Sequence, residues 1–193
     1  DVNESERPGG KPRIVFLVSS MSGGGAERVA ALLCNCWADR GYEVVLVATF
    51  SGRGDCQYTL DPRVRLVYLA DRVPGGGQGA LGLIRRFRAL RRLLRELGPD
   101  VAVSFLTHVN VATLLATRGL GIPVLVSERS NAWLMPVPRR WRVLRWVSYR
   151  WAGCVVAQTR GMARWLGARC PGSVTEVIAN PVALAVPASG PGL

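Results

Sequence analysis

The sequence has almost no lysine, although it is strongly basic. Lys11 is the only lysine among 25 basic residues, and these stand against 13 acidic residues to give a formal net charge of +12. The remaining basic residues are arginines, whose planar guanidinium groups bind phosphates through two parallel hydrogen bonds. This balance predicts an anionic partner, which is a nucleic acid, an anionic membrane or a phosphorylated substrate.

Long apolar runs and paired cysteines are also missing. No segment has the roughly 20 consecutive apolar residues of a membrane-spanning helix, and the best candidate, 101–115, contains His108 and Asn110. The five cysteines are an odd number, and neither a CxxC pair nor a histidine cluster gives metal-ligand spacing. The sequence therefore favours a soluble or peripheral protein with reduced thiols, as in the cytosol.

What the sequence does have is a regular alternation of short apolar runs and longer segments with helical period. Its 193 residues, 49% of them hydrophobic, suffice for one large domain with its own core. Alternation of this kind predicts an α/β fold, a doubly wound Rossmann-like parallel sheet with helices on both faces. The predicted strands are Arg13–Val18, 43–49, 64–69, Val101–Phe105, 123–127, Cys154–Ala157 and 174–178.

The two ends of the chain have a different composition. Residues 1–12 (DVNESERPGGKP) read as a flexible N-terminal lead, and residues 182–193 (VALAVPASGPGL) read as the start of a linker. The predicted domain therefore spans residues 13–181.

A glycine loop, Gly23, Gly24 and Gly25, follows the first predicted strand and opens the first long helix. Free backbone N–H groups at a helix start favour a phosphate or another anion. The loop is not a dinucleotide fingerprint, because Arg28 stands where the third glycine would be. The alternative is a tight turn that binds nothing.

His108 follows the fourth predicted strand and is the only histidine in the chain. In a doubly wound sheet strands 1 and 4 are neighbours, and a crevice opens where their crossovers leave in opposite directions. The glycine loop and His108 would share that crevice, where His108 is a candidate for proton transfer. The alternative is a structural residue at a helix start.

Two segments concentrate the arginines. The first, Gly79–Leu97, places four arginines on the face opposite an apolar stripe: Arg85, Arg88, Arg92 and Arg95. The second, 133–151, interleaves arginine with tryptophan and includes Trp141, Arg142 and Trp146. Such faces suit anionic lipid, but they also fit a solvated helix face and tryptophans that cover the core.

Several motifs together resemble the N-terminal half of a retaining family 4 glycosyltransferase of the GT-B fold. They cover about residues 13–182 in the expected order: RIVFLVSSMSGGGAERVAALL, GYEVVLV, VSFLTHVN, GIPVLVSERSN, CVVAQTRGM and VIANPV. Within that family the chain is most similar to enzymes that extend polyprenyl-diphosphate-linked oligosaccharides or other envelope polysaccharides.

The resemblance implies roles for several residues. His108 would lie beside the reacting sugar as the catalytic residue, and the glycine loop would approach the donor diphosphate or the acceptor. Arg129, Asn131 and Asn180 would contact the acceptor. The arginines of the first segment, with Trp141, Arg142 and Trp146, would meet a membrane or the acceptor's lipid diphosphate.

The resemblance also implies a transferase of hexose-type sugars, peripheral on the cytoplasmic face of the cell membrane. Its donor would be a nucleotide sugar, and no cofactor or metal is expected because the sequence has no DxD motif. The family's donor-binding domain would follow residue 193, so the polypeptide alone is expected to be inactive. The alternative is a noncatalytic basic module that docks on membranes or, contrary to our expectation, binds nucleic acid.

Overall fold

The computed structural model describes residues 11–51, 56–73, 79–129 and 138–181. The strands are β1 (Arg13–Val18), β2 (Glu43–Ala48), β3 (Arg65–Tyr68), β4 (Val101–Phe105), β5 (Val124–Ser127), β6 (Cys154–Ala157) and β7 (Thr175–Val177). The helices are α1 (Gly25–Asp39), α2 (Gly79–Leu97), α3 (Thr107–Thr117), α4 (Arg139–Ser148) and α5 (Arg160–Arg169). Short 3-10 turns, Leu69–Arg72 and Tyr149–Trp151, follow β3 and α4.

The strands lie where the apolar runs predict them. β1, β4 and β6 have the predicted bounds, and the other four differ by one residue at one or both ends. Pro123 illustrates the difference, since its carbonyl accepts a hydrogen bond from the backbone N–H of Ala102 although β5 begins one residue later. Proline has no N–H to donate and commonly stands at the margin of a strand.

All seven strands form one parallel sheet in the order β3-β2-β1-β4-β5-β6-β7. The doubly wound class is therefore confirmed. β1 lies between β2 and β4, so the chain order reverses at β1. In open parallel sheets ligands bind at the carboxyl ends of the strands where the order reverses. That edge is where the predicted site residues of the β1 and β4 loops are found.

Each face of the sheet has its own apolar core. Phe16 and Val18 of β1 pack with α1 on one face, whereas Val15 and Leu17 point to the core that includes α2, α3 and α5 on the other. This division follows from the two-residue period of strand side chains. Because both faces of β1 are buried, its sequence is apolar throughout instead of alternating.

Helix α2 buries its large apolar side chains only along its C-terminal half. The predicted apolar stripe of α2 consists of Leu83, Phe87, Leu90, Leu94 and Leu97. The last three are buried, but Leu83 and Phe87 near the start are 59% and 36% exposed. The first two turns of α2 therefore extend an apolar surface beyond the core.

The predicted end segments fall mostly outside the described residues. Residues 1–10 and 182–193 are not described, and at the N-terminal end Lys11 donates a hydrogen bond from Nζ to the carbonyl of Arg40. The domain bounds 13–181 remain a prediction.

Candidate functional site

His108 lies in the first turn of α3, directly after β4. The centroid of its ring is 5.2 Å from that of Phe50, which follows β2, and 6.2 Å from that of Trp141 in α4. Burial lowers the pKa of His108 below its usual value of 6.5, because desolvation disfavours the charged imidazolium. The ring is therefore neutral at pH 7, with one nitrogen that donates and one that accepts.

A strained turn joins β4 to the helix that carries His108. Leu106 has φ 76° and ψ 139°, a region that residues other than glycine rarely occupy. Its N–H donates to the carbonyl of Ser127 at 3.2 Å, and its carbonyl accepts from the N–H of Asn110 at 2.8 Å. These bonds let α3 begin at once after β4 and hold His108 at the carboxyl edge of the sheet.

Two side chains that follow β2 lie against the glycine loop, and one of them is hydrogen-bonded to it. Gly23 has φ 116°, and a Cβ atom there would lie 2.6 Å from the amide oxygen of Gln57. The hydroxyl of Tyr58 accepts a hydrogen bond from the Gly24 N–H at 2.8 Å and donates to the Gly24 carbonyl at 2.7 Å. The Gly24 N–H is thus occupied, and the carboxylate of Glu27 in the first turn of α1 lies against Gly24. The sequence pattern did not indicate either side chain.

A buried cluster at the end of β5 was also missed. We call it the Glu128 cluster: Glu128, Thr107, Asn110, Arg145 and Tyr149. Glu128 is 1% exposed, and both its carboxylate oxygens accept hydrogen bonds from the Thr107 hydroxyl at 3.0 Å. The Tyr149 hydroxyl donates to the same carboxylate, and Nη1 of Arg145 lies 3.7 Å from it. Burial, and next the Glu128 charge, raise the pKa of Tyr149 well above its usual value.

Asn110 completes the cluster. Its amide nitrogen donates to the Ser127 carbonyl at 3.1 Å and to the Tyr149 hydroxyl at 2.9 Å, and its amide oxygen accepts from the Ser104 hydroxyl at 2.8 Å. Asn110 and Thr107 flank His108 in α3, so the Glu128 cluster fixes the turn that presents His108. A glutamate directly after a buried strand was the one signal in the sequence that could have indicated it.

Arg129, the next residue after Glu128, is half-buried. Its guanidinium lies over the ring of Phe105 at 4.4 Å, and its Nε and Nη2 atoms are buried without a hydrogen-bond partner among the residues that the structure describes. Burial lowers the pKa of Arg129 from its usual value. A buried donor without an acceptor is costly, so Arg129 is suited to receive an anionic group of a ligand.

The structure brings three of the predicted positions to adjacent strand ends. Because β1, β4 and β5 are neighbours, the glycine loop, His108 and Arg129 follow adjacent strands at one edge. Asn180 is exposed, and its amide oxygen accepts a hydrogen bond from Gln158 at 2.9 Å. Asn131 lies outside the described residues.

The predicted basic face of α2 is exposed. Arg85, Arg88, Arg92 and Arg95 are all exposed, and Arg92 pairs with Glu96 at 2.8 Å. The other arginines of α2 are anchored to carbonyl groups instead: Arg86 donates to Thr49, and Arg91 donates to Ala116 and Arg118. The basic face therefore carries more positive charge than its one carboxylate neutralises.

An apolar groove of about 620 Å³ runs between α2, α3 and α4 beside His108. Trp141 and Phe50, whose rings flank His108, both line it. Further lining side chains come from the exposed start of α2 and from α4, and include Leu83, Ile84, Phe87 and Leu144. The groove thus shares Phe50 and Trp141 with the surroundings of His108, although His108 itself does not line it.

The aromatic and basic residues predicted on α4 do not share one surface. Trp141 lines the apolar groove, whereas Arg142 and Trp146 line a separate pocket with Arg139, Arg145 and Arg169. The alternative that these tryptophans belong to the core fits Trp141 in part, since it is half-buried against the core of that face.

The described residues offer neither a group of metal ligands nor a membrane-spanning helix. Within them no three or more His, Cys, Asp or Glu side chains are grouped as metal ligands. None of the described helices is long and apolar enough to cross a membrane.

Comparison with solved structures defines the class of the domain. A sucrose-phosphate synthase from Thermosynechococcus elongatus is similar with a TM-score of 0.70 at 12% identity, over 86% of this chain and 48% of that one. The Anabaena protein HepE in complex with UDP and glucose is similar with a TM-score of 0.64 at 17% identity, over 89% of this chain and 45% of that one. The fold is the Rossmann-like N-terminal lobe of a GT-B glycosyltransferase.

The family is narrower than the fold. The model of Glycosyltransferase Family 4 matches residues 23–186, and the chain therefore belongs to that family. A curated relative from Campylobacter jejuni is 34% identical over 139 residues, which are 71% of this chain and 37% of the relative. That relative is the GalNAc-alpha-(1->4)-GalNAc-alpha-(1->3)-diNAcBac-PP-undecaprenol alpha-1,4-N-acetyl-D-galactosaminyltransferase. This chain thus spans less than half the length of each of these three proteins.

Proposed function

We propose that this chain is the acceptor-binding domain of a glycosyltransferase. The enzyme transfers a hexose-type sugar from a nucleotide sugar to a lipid-linked or polysaccharide acceptor with retention of configuration. The observation that most supports this is the position of His108, which follows β4 at the carboxyl edge of the sheet, beside Phe50 and Trp141 of the apolar groove, in a family 4 chain.

His108 contacts the reacting sugar in this proposal. A neutral imidazole can accept a proton from a hydroxyl on one nitrogen and donate a hydrogen bond from the other. Arg129 offers two buried N–H groups to an anionic group of a substrate, and Asn131 and Asn180 contact the acceptor.

The glycine loop approaches the donor diphosphate or the acceptor. The first-turn N–H groups of α1 and the positive end of its dipole favour a phosphate there. A nucleotide-sugar donor agrees with the UDP and glucose bound to HepE. Transfer needs no metal in this proposal, so addition of EDTA should leave the rate unchanged.

The acceptor is linked to a polyprenyl diphosphate in this proposal. The name of the Campylobacter relative includes an undecaprenyl-linked glycan, and the groove of about 620 Å³ beside His108 offers an apolar site for the lipid chain. The exposed face of Arg85, Arg88, Arg92 and Arg95 would meet the diphosphate and the anionic inner face of the cell membrane.

Binding of the acceptor tests the assignment on the chain itself. Leu83→Glu places a charge in the groove, and Leu32→Glu places one on the exposed part of α1, which covers the other face of the sheet. An undecaprenyl-diphosphate oligosaccharide in detergent should bind equally well to the wild type and to Leu32→Glu. Its affinity for Leu83→Glu should be at least tenfold lower. Equal affinity of the two variants would contradict a lipid site in the groove.

Turnover tests the role of His108 in the active enzyme that contains this chain. His108→Ala should lower kcat by about 10²- to 10⁴-fold with little change in the KM of the acceptor. An unchanged rate would return His108 to a structural role.

The 193 residues alone are expected to transfer no sugar. Binding of the chain to DNA but not to anionic vesicles would favour a nucleic-acid-binding module instead.

A further inference from the structure

A second pocket, of about 250 Å³, opens between α4 and the end of α5. We call it the arginine pocket. Six residues line it: Arg139, Arg142, Val143, Arg145, Trp146 and Arg169. Four of the six carry a guanidinium, and none carries a carboxylate.

The positive charge of the arginine pocket is only partly neutralised. Arg145 is buried and lies 3.7 Å from Glu128, which neutralises its charge from the side of the core. Arg139, Arg142 and Arg169 take part in no ion pair with the residues that the structure describes. Like charges around one cavity repel each other, so an anion inside it would stabilise the arrangement.

Two of the guanidinium groups are held in place by an aromatic ring. Trp165 of α5 lies between Arg145 and Arg169, with each guanidinium carbon 4.6 Å from the ring centroid. Stacking on an indole leaves the N–H groups at the edge of the guanidinium free to donate. Nη1 of Arg145 is buried and faces Glu128, so the rest of this guanidinium is what the pocket can use. Donors that are fixed before binding lose less entropy when a ligand arrives.

The arginine pocket is separate from the candidate site at the sheet edge. It uses Arg142 and Trp146 of α4, whereas Trp141 and Leu144 of the same helix line the apolar groove. Neither His108 nor the glycine loop lines it. Its volume is below the roughly 300 Å³ at which sites for drug-sized ligands begin, so it fits a small anionic group.

We propose that the arginine pocket binds a phosphate group, held by Arg139, Arg142 and Arg169 against the stacked Arg145. Guanidinium groups bind oxyanions through paired hydrogen bonds. A phosphate has enough oxygen atoms for several arginines at once, which favours it over a halide or a single carboxylate. The phosphate belongs either to a lipid headgroup or to a free phosphate compound. Val143 and Trp146, which line the pocket, are exposed, so the pocket is accessible both to a lipid headgroup and to a free phosphate compound. The site does not depend on the proposed glycosyl transfer.

Two double variants with the same loss of charge test the site on the full chain. Arg142→Gln with Arg169→Gln removes two exposed pocket arginines, and Arg140→Gln with Arg164→Gln removes two exposed arginines from the same helices outside the pocket. Inorganic phosphate is titrated by calorimetry at constant ionic strength. Flotation with phosphatidylcholine vesicles, with and without phosphatidylglycerol, measures binding to a headgroup.

The pocket variant should lose at least about tenfold in affinity for one or both probes, and the control variant less than threefold. A loss seen with free phosphate alone assigns a soluble phosphate compound. A loss confined to phosphatidylglycerol vesicles assigns a headgroup. Equal losses in the two variants, or no binding of either probe by the wild type, would overturn the proposal. Neither probe contains a sugar donor or an acceptor glycan, so failure here leaves the proposed transferase function standing.

Discussion

The Glu128 cluster and the basic face of α2 use charged residues in opposite ways. In the cluster one carboxylate is buried and receives donors from Thr107 and Tyr149, with Arg145 as its ion pair. On the face of α2, four arginines are exposed around one carboxylate, that of Glu96. The first arrangement holds three elements of the fold together, and the second creates a positive surface.

The difference shows that burial and partners, and not the number of charges, decide what a polar group does for the protein. A buried ion pair is costly to break because the remaining partner is left without compensation. An exposed ion pair contributes little to stability and is screened by salt. We therefore expect changes in the cluster to affect folding and changes on the face of α2 to affect binding.

Replacement of Glu128 should give the largest effect. Glu128→Ala leaves the buried Arg145 without its ion pair and the hydroxyls of Thr107 and Tyr149 without their acceptor. The free energy of unfolding in urea should fall by about 3–5 kcal/mol. Glu96→Ala is the matched control, since it removes an exposed carboxylate with two arginine partners. If Glu128→Ala shifted the urea midpoint as little as Glu96→Ala does, the proposed difference between the buried cluster and the exposed face would be contradicted.

Within α2, the same substitution should separate the buried half from the exposed half. Leu94→Ala removes a side chain with no exposed surface, and it should lower the free energy of unfolding by about 2–5 kcal/mol. Leu83 is 59% exposed, and Leu83→Ala should change it by about 0.5 kcal/mol or less. Thermal or urea unfolding of the two variants measures both values. Similar losses would show that the start of α2 is packed.

Loss of two arginines from the face of α2 should weaken binding to anionic vesicles without affecting folding. Each arginine near such a surface contributes about 1 kcal/mol, so Arg85→Gln with Arg88→Gln should reduce binding roughly 30-fold at low salt. Arg28→Gln with Arg40→Gln is the control, because these arginines belong to α1 and its end. Flotation at several salt concentrations measures the effect. An equal loss in the control would mean that only net charge matters.

The titration of His108 should give the smallest effect. Its pKa in the folded state is below 6.5 because of burial, so the unfolded chain binds more protons between that pKa and 6.5. Stability should therefore fall as the pH decreases from about 6.5 to the folded pKa. NMR titration of the single histidine measures the pKa directly, and Phe50→Ala should move it back toward 6.5. A pKa of His108 above 6.5 in the wild type would contradict the burial of its imidazole ring.

Much of the fold could be predicted because the strands of this sheet are apolar on both faces. The runs at β1, β4 and β6 define those strands without error. The sequence also placed the glycine loop, His108 and Arg129 at one edge of the sheet, because parallel strands have their carboxyl ends at the same edge. This required only the strand order.

Glu128 directly after a buried strand could have indicated a buried carboxylate, but its partners could not be predicted, since Glu128 and Tyr149 are separated by 21 residues and meet only through the packing of α4. Tyr58 could not be placed over Gly24 for a similar reason, because the segment after β2 has no period to read. The exposure of Leu83 could not be predicted either, since an apolar stripe along one helix does not show how far the neighbouring helices extend. Local sequence patterns are sufficient to predict helices and strands, whereas these contacts of the site depend on residues that are far apart in the sequence.

The sheet ends at β7, a strand of three residues whose one neighbour among the described strands is β6. Val174, Val177 and Ile178 at this end are exposed. An open edge with apolar side chains can recruit the strand of another molecule, and a short edge limits how many bonds such a contact forms. We therefore expect aggregation of concentrated solutions to begin at this margin, and the brevity of β7 to be what restrains it.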